Sequence, residues 1–411
     1  MIDANRRAAA KFGIDFSVIE NAVDLRKNIE ILGDDLTFLQ IPEHIRTKHV
    51  HRLHPYLGKF IPQLVEVFLR KFFKRGDWIL DPFSGSGTTL IEANVLGINS
   101  LGIELSAFNI LIQKVKCQKY ELTLLEKEVF DALKRLKEFS QKFKKYDQPS
   151  FFTYDNQYDF QTESDYLKKW FSPRALEEIL FYRSIIEEYK YQDVLKVILS
   201  RSARSARLIP HYDLARPKKP IRETYWCIKH KRYCQPIDEA LKFINRYSFD
   251  TKKRIKEFDK LRSEAEMIII EGDARKVNLP QHIKFQGIFT SPPYVGLIDY
   301  HEQHRYAYEL FNFARKDELE IGPSFRGNSA TAKKEYSQGI IDVFKNVARN
   351  IETGAKIFIV ANDKFNLYPL IGKECGFTLI DIFHRPVLMR TERDSNKFFE
   401  SIFYFKKNKN E

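Results

Sequence analysis

The segment WILDPFSGSGTTLIEANVLGINSLGIEL, residues 78–105, decides the fold of this chain. WILDPF predicts a short buried strand, and SGSGTT is a glycine-rich turn that leads into a helix closed by Gly97. SLGIEL predicts a second strand, which ends at an acid, Glu104. A strand, a helix and a strand in this order form a βαβ unit, and such units build a parallel sheet.

Sheet-like sequence returns toward the C-terminus, in EMIIIEGDARKV, FQGIFTSPPY, GAKIFIVANDK and ESIFYFKK. We therefore expect one α/β domain built from residues 46–120 and 265–411. Residues 121–264 are charged and mostly helical by pattern, which predicts a large helical insertion, and residues 1–45 combine helix and loop.

Composition limits the class of protein. The chain has 411 residues, of which 43% are hydrophobic, so a sizeable core can form. Its net charge of +13 favours a polyanionic partner such as nucleic acid, although a lysine-rich surface alone would give the same balance. Four cysteines make no disulfide framework and indicate a reducing, cytoplasmic compartment. No apolar run approaches the length of a membrane span.

The turn after the first strand is typical of a ligand site. Gly85 and Gly87 allow the backbone to approach a ligand closely, although turns use glycine for other reasons too. No lysine follows Gly87, so this is not a phosphate loop, and the third glycine of the dinucleotide fingerprint is missing. Glu104 ends the next strand, where an acid can reach a ribose diol. Asp273 follows a later strand and can accept from an adenine amino group or cap a helix.

Two motifs together carry a resemblance. DPFSGSGTT and TSPPY resemble the amino-methyltransferases of DNA, which use S-adenosylmethionine to methylate N4 of cytosine or N6 of adenine. The resemblance covers the α/β part and implies a class I, Rossmann-like methyltransferase sheet with S-adenosyl-L-methionine as cofactor. HPYLGKFIP is similar to the motif of this family that contacts the methionine end of the cofactor. The cofactor-binding residues implied are Lys59, Phe60, Asp81, Phe83, Gly85, Gly87, Thr88, Glu104 and Asp273.

The same resemblance implies that Ser291, Pro292, Pro293 and Tyr294 are the catalytic tetrapeptide. The Ser291 hydroxyl and the Pro292 carbonyl would hold the hydrogens of a flipped base's amine, and Tyr294 would stack on that base. In this family SPPY usually accompanies cytosine N4, whereas DPPY or NPPY accompanies adenine N6. Cytosine N4 is therefore expected, with adenine N6 and, more distantly, an RNA amine as alternatives. Methylation of cytosine C5 is disfavoured, because none of the four cysteines follows a proline.

The chain departs from the common motif order, because its cofactor motif precedes its catalytic motif and many SPPY enzymes have the reverse. We assign recognition of double-stranded DNA to the insertion, whose stretch SRSARSARLIPHYDLARPKKPIRETYW is too rich in Arg, Lys and Pro to predict a core element. A solvated basic loop is the alternative. The residues expected to contact DNA are Arg201, Arg204, Arg207, Arg216, Lys218 and Lys219.

Cys227, His230 and Cys234 have a spacing that can supply three metal ligands, but no clear fourth ligand lies nearby in sequence, and we predict no metal. His301 and His304 follow the tetrapeptide, where an aromatic amphipathic helix is the preferred interpretation and a base pocket the alternative.

Two other classes of protein are alternatives to a methyltransferase. One is a non-catalytic nucleic-acid-binding protein with a relic pocket, which the intact set of Glu104, Asp273 and the tetrapeptide disfavours. A nuclease in the same chain is disfavoured as well, since no convincing acidic and lysine cluster lies on a strand. A separate restriction endonuclease acting on the same site is a further partner compatible with the resemblance.

Overall fold

The computed structural model describes residues 36, 38, 41–55, 61–144, 162–211, 213, 218–387 and 398–409. In chain order, the strands are β1 (Trp78–Asp81), β2 (Asn99–Glu104), β3 (Tyr225–Cys227), β4 (Arg232–Cys234), β5 (Met267–Glu271), β6 (Phe285–Thr290), β7 (Ile351–Ala361), β8 (Phe377–Val387) and β9 (Phe398–Lys407).

The α-helices are α1 (Glu43–Arg46), α2 (Pro62–Phe72), α3 (Thr88–Val95), α4 (Ala107–Cys117), α5 (Leu122–Lys144), α6 (Asp165–Trp170), α7 (Pro173–Ile185), α8 (Gln192–Ala206), α9 (Leu241–Asp259), α10 (Tyr300–Gln303), α11 (Arg305–Phe311), α12 (Ala330–Val347) and α13 (Tyr368–Glu374). Short 3-10 helices span His49–Arg52, Ile186–Glu188, Asp317–Leu319, Ser324–Arg326 and Ala348–Asn350. Among the described helices, none combines the length and the apolar composition needed to cross a membrane.

The main sheet has seven strands in the order β5-β2-β1-β6-β7-β9-β8. β1 runs parallel to β2 and β6, β2 runs parallel to β5, and β6 runs parallel to β7. β9 lies antiparallel between β7 and β8. This order confirms the predicted α/β fold, a class I methyltransferase sheet of the Rossmann-like type with a mainly helical insertion.

Successive residues of β1 face opposite sides of the sheet, as the strand period of two requires. Ile79 packs in a cluster with Val65 and Phe68 of α2 on one side. Leu80 packs on the other side, in a cluster that includes Ile340 of α12. Because both residues are fully buried, β1 forms the centre of the three-layered core.

The short strands β3 and β4 of the insertion were not predicted from the sequence, and among the strands of the main sheet β8 was missed. It lies at the edge of the sheet, beside β9, and Leu379 and Ile380 are exposed there. The strand mixes apolar residues with Asp381, His384 and Arg385. An edge strand is half solvated, so its sequence lacks the apolar run that identifies a central parallel strand.

The insertion begins with α5 and continues to α9, between α4 and β5. Leu133 of α5 and Ile198 of α8 share one hydrophobic cluster with Ile91 of α3 and with Phe108 and Ile112 of α4. The described insertion is therefore packed on the helical layer that covers the sheet, with which it shares a core. The predicted limits, 121–264, include residues 145–161, which lie outside the described residues.

The arginine-rich stretch begins inside the core, so the prediction that it cannot be a core element is wrong for its first residues. α8 continues to Ala206, and Ser200 and Ser202 are fully buried. Their hydroxyls donate to Val197 O at 2.9 Å and Ile198 O at 2.7 Å, within the helix. Small residues whose polar groups are satisfied by the preceding turn can be buried despite the polar composition.

Candidate active site

Three neighbouring strands end beside one cavity: β1 at Asp81, β2 at Glu104 and β6 at Thr290. The carboxyl ends of parallel strands share one edge, which is where open α/β sheets bind ligands. The cavity encloses about 900 Å³ of empty space, including open solvent at its mouth.

The cavity wall includes most of the residues that the sequence analysis assigned to a ligand. Those on the wall are Phe83, Gly85, Thr88, Glu104, Asp273, Ser291 and Pro293. Asp81, Gly87, Pro292 and Tyr294 are not part of the wall but adjoin residues that are. Lys59 and Phe60 lie outside the described residues.

The glycine-rich turn is held from behind by α4. Gly87 has a φ of +77° and directly precedes α3, a conformation that favours glycine. The Gln113 amide donates to Gly85 O at 2.7 Å and to Ser84 Oγ at 2.9 Å, and Lys116 Nζ donates to Ser86 O. No local pattern predicts these two supports, because α4 follows β2 and faces the turn only in the folded chain.

Asp81 links two strand ends and does not face the cavity. Its carboxylate accepts from Thr290 Oγ1 at 2.6 Å and from Phe83 N at 3.2 Å. Burial raises the pKa of Asp81 to about 6. Because Thr290 immediately precedes Ser291, this contact fixes the tetrapeptide relative to the turn.

Glu104 brings a carboxylate to the cavity wall. Its Oε1 accepts from Ser106 N at 2.8 Å. Burial raises the pKa of Glu104 to about 7, and the Ser106 amide opposes that rise. A carboxylate at this position can accept hydrogen bonds from a ligand diol once it is ionised.

Asp273 lies on the wall with a fixed charge. Burial alone would raise its pKa, but Arg275, whose Nε and Nη2 donate to the carboxylate at 2.8 Å, holds the pKa of Asp273 below its usual value. Arg275 Nη2 also donates to Leu319 O at 3.0 Å. Arg275 therefore connects β5 to the segment that closes the cavity, a role that the sequence analysis missed.

The tetrapeptide is held on two sides. The Tyr336 hydroxyl of α12 donates to Pro293 O at 2.8 Å, and the Tyr294 hydroxyl donates to Glu400 Oε1 of β9 at 2.9 Å. Tyr294 is half-buried and packs against the hydrophobic cluster that contains Tyr336. Stacking of Tyr294 on a base stays a prediction.

His301 lies on the cavity wall, contrary to the preferred interpretation of an ordinary helix face. Its Nδ1 pairs with Glu320, another wall residue, and Glu320 also accepts from His301 N at 2.9 Å. His301 Nε2 and Ser86 Oγ are buried without a hydrogen-bond partner among the described residues. Both residues line the cavity, so the wall offers polar groups to a ligand, which fits a zwitterionic nucleoside such as S-adenosylmethionine.

Of the six basic residues expected to contact DNA, the five that the structure describes are not brought to one surface. Arg201 is buried, with Nη1 donating to Asp250 at 2.6 Å and its guanidinium 4.1 Å from the centre of the Tyr247 ring. Arg207 is buried against the Tyr306 ring. Arg204 is half-buried, Lys218 and Lys219 are exposed, and Arg216 lies outside the described residues.

Comparison with known proteins agrees with this geometry. A family model described as DNA methylase matches residues 26–114. Type II methyltransferase M.MjaII of Methanocaldococcus jannaschii is 44% identical over 439 residues, covering 90% of this chain and 83% of the relative. Type II methyltransferase M.BsoBI of Geobacillus stearothermophilus is 29% identical over 317 residues, covering 69% and 57%.

The sheet and the cavity at its carboxyl edge define a class I methyltransferase. With these relatives, the chain belongs to the S-adenosylmethionine-dependent DNA amino-methyltransferases, in the type II group. The predicted resemblance and the predicted cofactor are thereby confirmed. Family membership does not specify which base is methylated.

Proposed function

We propose that this chain transfers a methyl group from S-adenosylmethionine to the exocyclic N4 of a cytosine flipped out of duplex DNA. The observation that carries the proposal is the position of Ser291. It follows β6 directly and stands on the wall of the cavity that Glu104 and Asp273 also line. Serine in this first position is the feature of the motif that favours cytosine over adenine.

An exocyclic amine is a weak nucleophile because its lone pair is delocalised into the ring. The Ser291 hydroxyl and the Pro292 carbonyl would accept the two amine hydrogens and orient the lone pair toward the reacting carbon. The cofactor supplies that carbon as an electrophilic sulfonium methyl. Such positioning can provide most of the rate enhancement.

The contacts that restrain the tetrapeptide support this role. Two prolines fix two φ angles. The Asp81 to Thr290 contact at 2.6 Å holds its start, and the Tyr336 to Pro293 contact at 2.8 Å holds its third residue. Because these contacts keep the hydrogen-bond acceptors in position before the base binds, less free energy is needed to organise the transition state.

For the cofactor, we assign Glu104 to the ribose diol and Asp273 to the adenine amino group, with Phe83, Gly85 and Thr88 forming the surrounding wall. Gly87 and Asp81 contribute by fixing the conformation of the glycine-rich turn. Lys59 and Phe60 remain assigned to the methionine end by the motif alone.

For DNA, we assign recognition to the insertion, with Lys218 and Lys219 as exposed phosphate contacts. Arg204 and Arg216 stay in the proposed surface, whereas Arg201 and Arg207 are assigned to packing because both are buried. A restriction endonuclease for the same site would be a separate chain, and we assign the reaction to the cytoplasm.

The test is transfer of labelled methyl from S-adenosylmethionine to duplex DNA, with RNA of the same sequence in parallel. We expect transfer to duplex DNA, and loss of at least about a hundredfold in kcat for Ser291→Ala with cofactor affinity unchanged. Ser184→Ala is the matched control, because Ser184 is an exposed residue of α7 whose hydroxyl donates to Phe181 O within the same helix. Transfer to RNA alone, or full activity of Ser291→Ala, would overturn the proposal.

A further inference from the structure

Four side chains of the insertion meet at a place distant in sequence from the cofactor motifs. His211, Cys227, His230 and Cys234 each offer one ligand atom, and these atoms all lie within 4.8 Å of one another. Cys227 Sγ is 3.9 Å from His211 Nδ1, and Cys234 Sγ is 3.5 Å from His230 Nδ1. Both cysteines are free thiols and buried.

The backbone explains why these residues converge. β3 and β4 form an antiparallel hairpin in which Cys227 pairs with Arg232 and Cys234 pairs with Tyr225, so the two cysteines lie on the same face, two register positions apart. Its turn is closed by Lys231 N donating to Cys227 O at 2.7 Å, with Lys231 at a φ of +51°. His211 arrives from the segment after α8, and its backbone N donates to the Tyr225 hydroxyl at 3.1 Å.

The separations suit a tetrahedral ion. With Zn–S near 2.3 Å and Zn–N near 2.0–2.1 Å, a nitrogen and a sulfur on one tetrahedral zinc lie about 3.5 Å apart. The two sulfur to nitrogen distances, 3.5 and 3.9 Å, are at or slightly above that value. Two thiolates and two imidazoles are a donor set that selects zinc over magnesium or calcium.

We propose that His211, Cys227, His230 and Cys234 bind one structural Zn²⁺. The hairpin motif supplies three ligands, and His211 supplies the fourth from 16 positions before Cys227. All four positions are protein ligands, so the site is closed in the manner of a structural rather than a catalytic zinc.

A second group of ligand-type residues, His49, His51 and Glu92, does not support a metal in the same way. Lys48 Nζ already donates to Glu92 Oε2 at 2.7 Å, and His51 Nε2 contacts Glu92 Oε1 at 2.8 Å. The buried carboxylate thus has a cationic partner within the protein.

The hairpin needs a stabilising element of this kind. Each strand has only three residues, and the side chains of Trp226 and Tyr233 point outward, 53% and 71% exposed. A two-stranded hairpin without a buried apolar face is marginal in water. Four metal–ligand bonds would replace the missing core, as in other small metal-bound units.

The outward face of the hairpin carries these aromatic rings, and Lys229 and Lys231 of its turn are exposed. If the chain acts on DNA as proposed above, zinc would fix a surface that can contact phosphates and bases. The metal site itself is independent of that function.

The first experiment measures zinc in the full chain, purified without chelator and without a metal-affinity tag. We expect about one zinc per chain, and less than about a tenth of that in Cys234→Ser and in His211→Ala. Matched controls are Cys375→Ser and His282→Ala, which replace the same residue types outside the cluster and should keep about one zinc. Cofactor binding, measured on each variant, reports whether the chain has folded.

A second measurement does not depend on variants. Cobalt bound to the wild-type chain should show a thiolate charge-transfer band and intense tetrahedral d–d bands, and zinc should displace it. The proposal is overturned if the wild-type chain holds no zinc after incubation with one equivalent. It is also overturned if zinc remains in a folded Cys234→Ser variant. Neither readout requires methyl transfer, so failure of the proposed function would be seen separately.

Discussion

Glu104 illustrates how burial sets the chemistry of a single residue. Its pKa is raised to about 7, so near neutral pH only part of the population carries the carboxylate that can accept from a ribose diol. In the ligand-free protein, the raised pKa means that the stability contributed by this group is present at low pH and is lost as the pH rises toward 7. Cofactor binding has the opposite dependence, because it requires the ionised form.

We therefore expect the affinity for S-adenosylmethionine to rise about tenfold between pH 6 and pH 8 and then to level off. In Glu104→Gln the affinity should be lower and this slope should disappear. Calorimetric titration at three pH values measures both. Glu121→Gln, at a residue exposed at the start of the insertion, is the control and should keep the slope. An unchanged slope in Glu104→Gln would exclude Glu104 as its source.

Tyr294 has two separable roles, a ring that can stack on a base and a hydroxyl that donates to Glu400 at 2.9 Å. A hydrogen bond to a charged group contributes about 1.5–3 kcal/mol. We expect Tyr294→Phe, which keeps the ring, to lower kcat by about tenfold or more while cofactor affinity is unchanged.

Tyr120→Phe is the matched control for this change, because the Tyr120 hydroxyl also makes one hydrogen bond, to Val115 O at 2.7 Å, away from the cavity. Steady-state kinetics on one duplex substrate compares the two variants. Full activity in Tyr294→Phe together with inactivity in Tyr294→Ala would mean that the ring alone matters.

At the scale of elements, the basic residues of the insertion lie in two different environments, inside the packed helix α8 and on the exposed stretch after it. Arg201 is buried and paired with Asp250, so its loss leaves a partly buried carboxylate without its partner. We expect Arg201→Met to lower the free energy of unfolding by about 3 kcal/mol, measured by urea denaturation.

Lys218 and Lys219 are exposed, so Lys218→Ala combined with Lys219→Ala should leave stability within about 0.5 kcal/mol of wild type. DNA affinity should fall for all sequences alike, and the slope of log affinity against log salt should decrease by about 1–2. A salt slope equal to that of the wild type would remove both lysines from the DNA surface.

The elements predicted from sequence are those specified by local pattern. Gly97 after α3 has the expected position and conformation. Local signals of the same kind are Pro62, which begins α2, and Ser172, which caps α7. β1, α3 and β2 follow each other with continuous burial, so their order alone identified the sheet. β8 was not predicted from the sequence because it is a half-solvated edge strand.

At the scale of the whole molecule, the features that sequence did not reveal depend on distant partners. The burial of Arg201 requires Asp250, 49 positions later, and the fourth ligand of the zinc cluster lies 16 positions before the cysteine it meets. Arg275 connects to Leu319, 44 positions away. Motifs identify chemistry where one loop supplies it, whereas packing decides which charged residues are buried and which reach a partner.

Cytosine N4 in duplex DNA is the proposed target of the Ser291 tetrapeptide. The most direct test of this proposal is mass spectrometry of nucleosides from duplex DNA methylated by the full chain with labelled S-adenosylmethionine. We predict label in N4-methylcytosine. Label in N6-methyladenine would contradict the assignment of the base, although the same cavity and mechanism would then apply to adenine.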